Sequence, residues 1–73
     1  MMLEEMANEQ AEHRIITLVK YLLKDLEQGA ELSFTRQQLA DMSGLRVETV
    51  IRIIKKLSGK HAFKLLRGKI VKI

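Results

Sequence analysis

Three helices closed by a short β-hairpin, a mainly α fold in a single domain, is the architecture this sequence predicts. Three observations carry the prediction. Apolar residues recur at helical spacing over residues 11–28 and again over 47–57. Between them, "TRQQLADMSGL" holds a helix-start pattern and then a glycine break. The tail "AFKLLRGKIVKI" places β-type residues on both sides of an Arg-Gly turn. With 73 residues and no Cys, the chain makes one domain at most, with a modest core and no disulfide or thiolate–zinc staple.

The opening "MMLEEMANEQ" is acidic and Met-rich, with Leu3, Met6 and Ala7 as a weak apolar stripe. It reads as a helical lead-in over residues 1–12, the end of a longer helix or in part a cloning remnant, ahead of a domain over 13–73. The first helix is expected over 11–28, with Ile15, Leu18, Val19, Leu22 and Leu26 as its stripe, Ile16 and Leu23 at the shoulders, and Gly29 as a left-handed C-cap. "ELSF" is too short to stand alone but can pair as an edge strand. Thr35 opens the second helix through a capping box with Gln38, and that helix ends near Met42. Gly44 is free to take a positive φ in the turn. The third helix, about 47–57, turns Val50, Ile53, Ile54 and Leu57 inward and Glu48, Arg52 and Lys55 outward, with Ile51 and Lys56 beside them. Met6 and Met42 read as core or edge fillers, and Tyr21 as packed at the side of the first helix.

Charge divides the chain. Residues 1–33 hold three basic and seven acidic side chains, near −4; residues 34–73 hold ten basic and two acidic, near +8, giving the net +4. That asymmetry suits a polyanion partner for the second half, or else a solvated basic surface. Enzyme chemistry finds no pattern: His13 and His61 stand far apart, and no phosphate loop or nucleophile motif occurs. No apolar run approaches the roughly 20 residues that span a bilayer, so a soluble, cytoplasmic protein without membrane attachment is expected.

Two helices joined by a Gly-containing turn form a helix-turn-helix, and a following hairpin makes it a winged helix-turn-helix. In that arrangement the helix over 47–57 enters the major groove of double-stranded DNA and presents Val47, Glu48, Ile51 and Arg52 to base edges. Arg can donate a bidentate pair to guanine, and a carboxylate accepts from cytosine N4. Glu48 is thus either a base reader or an ionic support for Arg52. Arg67 and Lys69 flank Gly68 at the wing tip, where a phosphate would lie, though an ordinary charged turn would look the same. The competing function is a winged helix used for protein–protein contact, which would want an apolar rather than basic outer face.

These residues carry a specific likeness. "FTRQQLADMSGLRVETVIRIIKKL" with a hairpin ending "RGKIVKI" resembles the C-terminal DNA-binding domain of the Crp–Fnr family, bacterial transcription regulators related to the cyclic-AMP receptor protein and the fumarate–nitrate reductase regulator. The likeness runs from Ala11 to Ile73. It implies that Glu48 and Arg52 read the core of a half-site, commonly TGA. It implies that Thr35, Arg36, Gln37 and Thr49 hold backbone phosphates, with Lys55 and Arg67 at further phosphate positions. Val47 matches the fumarate–nitrate branch. The pattern is departed from at Arg46, which replaces a Ser or Thr helix cap and can approach phosphate. It is also departed from at Ile51, where that branch has Ser, and in the link "SGKHAF". The resemblance further implies a palindromic operator, a homodimer formed through an N-terminal region outside this chain, RNA polymerase as a candidate partner, and no cofactor in this domain.

Overall fold

The computed structural model describes residues 2–61 and 63–73, with side chains from residue 9 onward. Leu3, Met6 and Ala7, read above as an apolar stripe, lie outside the described side chains, as does Ala62 of the link. The elements run α1 (Met2–Leu23), α2 (Arg36–Ser43), α3 (Val47–Leu57), β1 (Phe63–Leu66) and β2 (Lys69–Lys72). This is the three-helix, one-hairpin winged helix-turn-helix that the pattern predicts.

Helix α1 differs most from expectation. It is one continuous helix of 22 residues that starts before residue 11 and stops at Leu23, five residues short of Gln28. Tertiary pairing takes over there. The Gly29 N–H donates to the Lys72 carbonyl at 2.8 Å, and the Lys72 N–H donates to the Ala30 carbonyl at 3.0 Å. Lys72 Nζ donates to the carbonyls of Lys24 at 3.2 Å and Leu26 at 2.5 Å, taking acceptors that a longer helix would have used. Gly29 therefore serves a strand-like turn at φ 86° and caps no helix. Asp25 and Glu27, which would oppose the dipole of a longer helix, lie in this turn region.

The stripe of α1 is centred on Ala11, Ile15, Val19 and Leu23, all buried, while Ile16, Leu18, Leu22 and Leu26 are half-buried at its sides. Leu23, expected at a shoulder, is central because these four residues follow a strict four-residue spacing. They share one core with Leu39 and Ala40 of α2, with Val50, Ile53, Ile54 and Leu57 of α3, and with Leu32, Phe63 and Ile70. The inward face of α3 is the one its periodicity predicts.

Helix α2 begins on the expected capping box: the Gln38 N–H donates to Thr35 Oγ1 at 3.0 Å, and the Thr35 N–H donates to Gln38 Oε1 at 2.8 Å. Its end is closed by Gly44 at φ 75°, whose N–H donates to the Ala40 carbonyl at 2.9 Å. The wing is an antiparallel pair in which Phe63 faces Lys72 and Leu66 faces Lys69. Arg67 at φ 53° and Gly68 at φ 77° give the doubly positive pattern of a type I′ turn. "ELSF" does pair at the edge: Glu31 bridges Val71, and the Leu32 N–H donates to the Ile70 carbonyl at 2.8 Å. Val71 is consequently buried although it lies on the opposite face from Ile70.

Met42 stands at an edge, 45% exposed, and Tyr21 is 62% exposed rather than packed, its ring lying 4.4 Å from the Lys24 ammonium. Leu39 has no exposed surface. Leu39→Ala should therefore cost about 2–5 kcal/mol, whereas Met42→Ala should change stability by less than about 0.5 kcal/mol. Urea unfolding followed by circular dichroism measures both, and similar effects for the two would contradict this core.

Candidate nucleic-acid interface

The turn between α2 and α3 sets the angle at which α3 leaves the core, and five residues hold it. Ser43 is buried, and its hydroxyl donates to the Ala40 carbonyl at 3.2 Å. The Leu45 N–H donates to the same hydroxyl at 3.4 Å. Arg14, reaching across from α1, donates through Nη1 to the Ser43 carbonyl at 3.0 Å. A cation at the carbonyl end of α2 suits that helix's dipole. The Arg14 guanidinium also lies 3.7 Å from where a side chain on residue 44 would begin, in a backbone conformation that already favours glycine. Sequence reasoning missed Arg14, and no local signal could have found it, since its partner is 29 residues away.

Helix α3 then presents its outer face. Glu48, Ile51, Arg52 and Lys55 are exposed, and Val47 and Thr49 are half-buried, with Val47 packed against the core. Ile51, at 37% exposure, is the one large apolar side chain that α3 exposes. Lys56 turns away from this group: its Nζ lies 2.8 Å from Glu12 Oε2, a pair that ties the end of α3 to α1. Both partners are partly exposed, so this pair adds at most about 1 kcal/mol. Arg46 occupies the N-cap of α3 with extended backbone and makes no side-chain cap hydrogen bond. The first-turn amides of α3 thus lack the side-chain acceptor that Thr35 supplies to α2.

A second group gathers at the start of α2. Thr35 spends its oxygen on the capping box. Gln37 Nε2 donates to Asp41 Oδ1 at 3.1 Å. Arg36 Nη2 donates to the Gly68 carbonyl at 2.8 Å, which brings the wing tip, with exposed Arg67 and Lys69, to the first turn of α2. Arg36 is half-buried, and desolvation lowers its pKa from the usual arginine value. A guanidinium still carries its charge in a protein after such a shift. The base of the wing is fixed separately, by the Leu65 N–H donating to Ser58 Oγ at 2.8 Å.

The residues singled out in the sequence therefore fall into two sets. Val47, Glu48, Thr49, Ile51, Arg52 and Lys55 lie along α3, with Arg46 at its cap. Thr35, Arg36 and Gln37 join Arg67 and Lys69 around the wing tip. Every charged member except Glu48 is cationic, so the two groups can form an electropositive surface suited to a polyanion. Among the described residues no group of His, Asp or Glu is arranged to hold a metal ion, and no helix is long and apolar enough to cross a membrane.

A family model described as a Crp-like helix-turn-helix domain matches residues 12–73. No curated protein and no solved structure matches the chain. The match covers α2, the turn, α3 and the wing, together with the part of α1 that carries Ile15, Val19 and Leu23.

The uncapped start of α3 yields a prediction. Arg46→Ser should raise stability by about 0.5–1 kcal/mol by supplying the missing acceptor. It would be read as a higher urea midpoint with an unchanged slope; a lower midpoint would mean that the Arg46 side chain contributes packing that outweighs a cap.

Proposed function

Because the chain belongs to the Crp-like helix-turn-helix family, we propose that it binds double-stranded DNA sequence-specifically as the DNA-binding domain of a transcription regulator, with α3 in the major groove. DNA binding in general follows from membership in a helix-turn-helix family. The finer reading rests on one observation: α3 buries Val50, Ile53, Ile54 and Leu57 completely enough to leave Glu48, Ile51, Arg52 and Lys55 facing solvent together. The major groove is about 12 Å wide and admits one helix.

In this reading Arg52 donates to a guanine edge, Glu48 accepts from a cytosine amine, and Ile51 meets a thymine methyl. Val47, half-buried, sits at the edge of that set. Arg46, Thr49, Lys55, Arg67 and Lys69, together with Thr35 and Gln37 at the start of α2, supply phosphate contacts that set register and most of the affinity. A homodimer on a palindromic operator with TGA-core half-sites, contact with RNA polymerase, and a place in the bacterial cytoplasm complete the proposal. Protein–protein contact through the same face is less well supported, because Ile51 is the one large apolar side chain exposed there.

The test is a salt titration by fluorescence anisotropy, comparing a duplex with two TGA-core half-sites against a scrambled duplex of equal length. Tighter binding to the first, falling steeply with salt, is expected; equal binding to both would remove the half-site assignment. Arg52→Ala should cost about 1–3 kcal/mol on the specific duplex and relax preference at one base pair. An equal loss on both duplexes would show that Arg52 does not read a base.

A further inference from the structure

Five features of the structure converge on Arg36. Its Nη2 lies 2.8 Å from the Gly68 carbonyl across 32 positions of sequence, joining the first turn of α2 to the tip of the wing. The wing beyond this point has little else to hold it: each strand has four residues, and a two-stranded hairpin of that size is marginal by itself. The edge segment supports β2 from Lys72 to Ile70, through Ala30 and Leu32, and its last backbone bond falls two residues from Gly68. Arg36 and Gly68 line an open cleft together with Ser33, Thr35, Lys69 and Ile70. Arg36 is half-buried, whereas Arg67, Lys69 and Gln37 around it are exposed.

We propose that Arg36 is a positioning residue of the DNA interface, holding the Gly68 carbonyl so that the exposed Arg67 and Lys69 are presented to phosphate, and that it contributes to binding through the wing rather than as a phosphate ligand. The inference rests on the DNA-binding reading above and gives this arginine a different task within it. The carbonyl is a fixed acceptor in the folded chain. Of the five donors of the guanidinium, one on Nη2 is committed to this carbonyl, and a guanidinium drawn away to a phosphate would lose that charge-assisted hydrogen bond and release the tip. Holding two cations in place before DNA arrives reduces the ordering cost that a mobile wing would add to binding.

A double-mutant cycle separates the two roles. One variant is Arg36→Met, which keeps the stem and removes the donors. The other is Arg67→Asn with Lys69→Ser, which neutralises the tip and keeps a residue that tolerates positive φ in the turn. In the DNA-free protein, amide hydrogen exchange and backbone relaxation should show residues 66–69 loosened by Arg36→Met, with α3 unchanged. On DNA, each variant should weaken binding about three- to tenfold. The combination should bind within about twofold of the neutralised tip alone, with the same salt slope. Additive losses, with the slope falling by about one more, would make Arg36 a phosphate ligand and overturn the proposal. An unchanged wing in Arg36→Met would overturn it as well, whatever happens to affinity. Failure of the unaltered chain to bind any duplex at low salt would sink the DNA reading and the interface role with it, and the relaxation data would still report separately whether Arg36 orders the wing.

Discussion

Val50, Ile53, Ile54 and Leu57 of α3 share one core with Ile15, Val19 and Leu23 of α1 and with Leu39 and Ala40 of α2, and the remainder of the molecule is arranged around that burial. An 11-residue helix is too short to be stable in water without tertiary contacts. Its inward face must therefore be almost wholly apolar, and the four side chains that bury it span about 100° of its circumference. Outside that arc, Glu48, Ile51, Arg52 and Lys55 are exposed. The turn at Gly44 and the buried Ser43 matter because they fix the angle at which this helix meets the core, and so which side chains face out together.

A chain of 73 residues with neither Cys nor Pro must hold its parts by other means. Here the means recur: a cationic side chain reaches a backbone carbonyl at the end of another element. Arg14 of α1 meets Ser43 at the end of α2, Arg36 of α2 meets Gly68 at the wing tip, and Lys72 of β2 meets Lys24 and Leu26 beyond α1. Each tie joins elements far apart in sequence and satisfies an acceptor that water would otherwise have to reach. Hydrogen bonds to charged groups are worth about 1.5–3 kcal/mol when well formed, which is substantial beside the total stability of a small domain. Arg36 and Lys72 also add to the positive charge of residues 34–73, so these two side chains serve both cohesion and the electrostatic field.

What was legible in the sequence was local. The capping box of Thr35 and Gln38, the left-handed Gly44, the bounds of α3 and the Arg67-Gly68 turn each follow from residues within a few positions of one another, and each stands where the pattern placed it. The end of α1 was not legible, because β2 decides it. Residues 24–28 have a fair helical pattern, yet the pairing of Gly29 and Ala30 with Lys72 pulls the chain out of the helix. The same holds within the candidate interface. Glu48, Ile51, Arg52 and Lys55 could be assigned to an outer face by periodicity alone, whereas Lys56, equally basic in sequence, turns to Glu12 on α1. Arg36, which the family resemblance assigns to a backbone phosphate, has a carbonyl partner 32 positions away that no local pattern could indicate.

Three of the local rules broken in this structure are broken on the candidate interface, while the positive φ of His61 lies in the link before the wing. The N-cap of α3 carries Arg46 where a Ser or Thr would supply an acceptor. An arginine takes φ 53° at the wing tip, where Asn or Gly would be less strained. A β-branched apolar residue, Ile51, stands exposed on a face of charged neighbours. None of these choices improves folding, and the first two each cost on the order of 1 kcal/mol. Sequences that otherwise agree with their fold at every level tend to depart from it where function demands a particular side chain. Arg46, as N-cap, and Ile51 belong to α3 and Arg67 to the wing, and all three fall on the surface proposed to meet DNA. A cation at the start of α3, an apolar contact in its middle and a cation on the wing are what a groove lined by phosphates and carrying thymine methyls would reward. The broken rules thus point to the same surface as the charge asymmetry, by an argument that does not depend on counting charges.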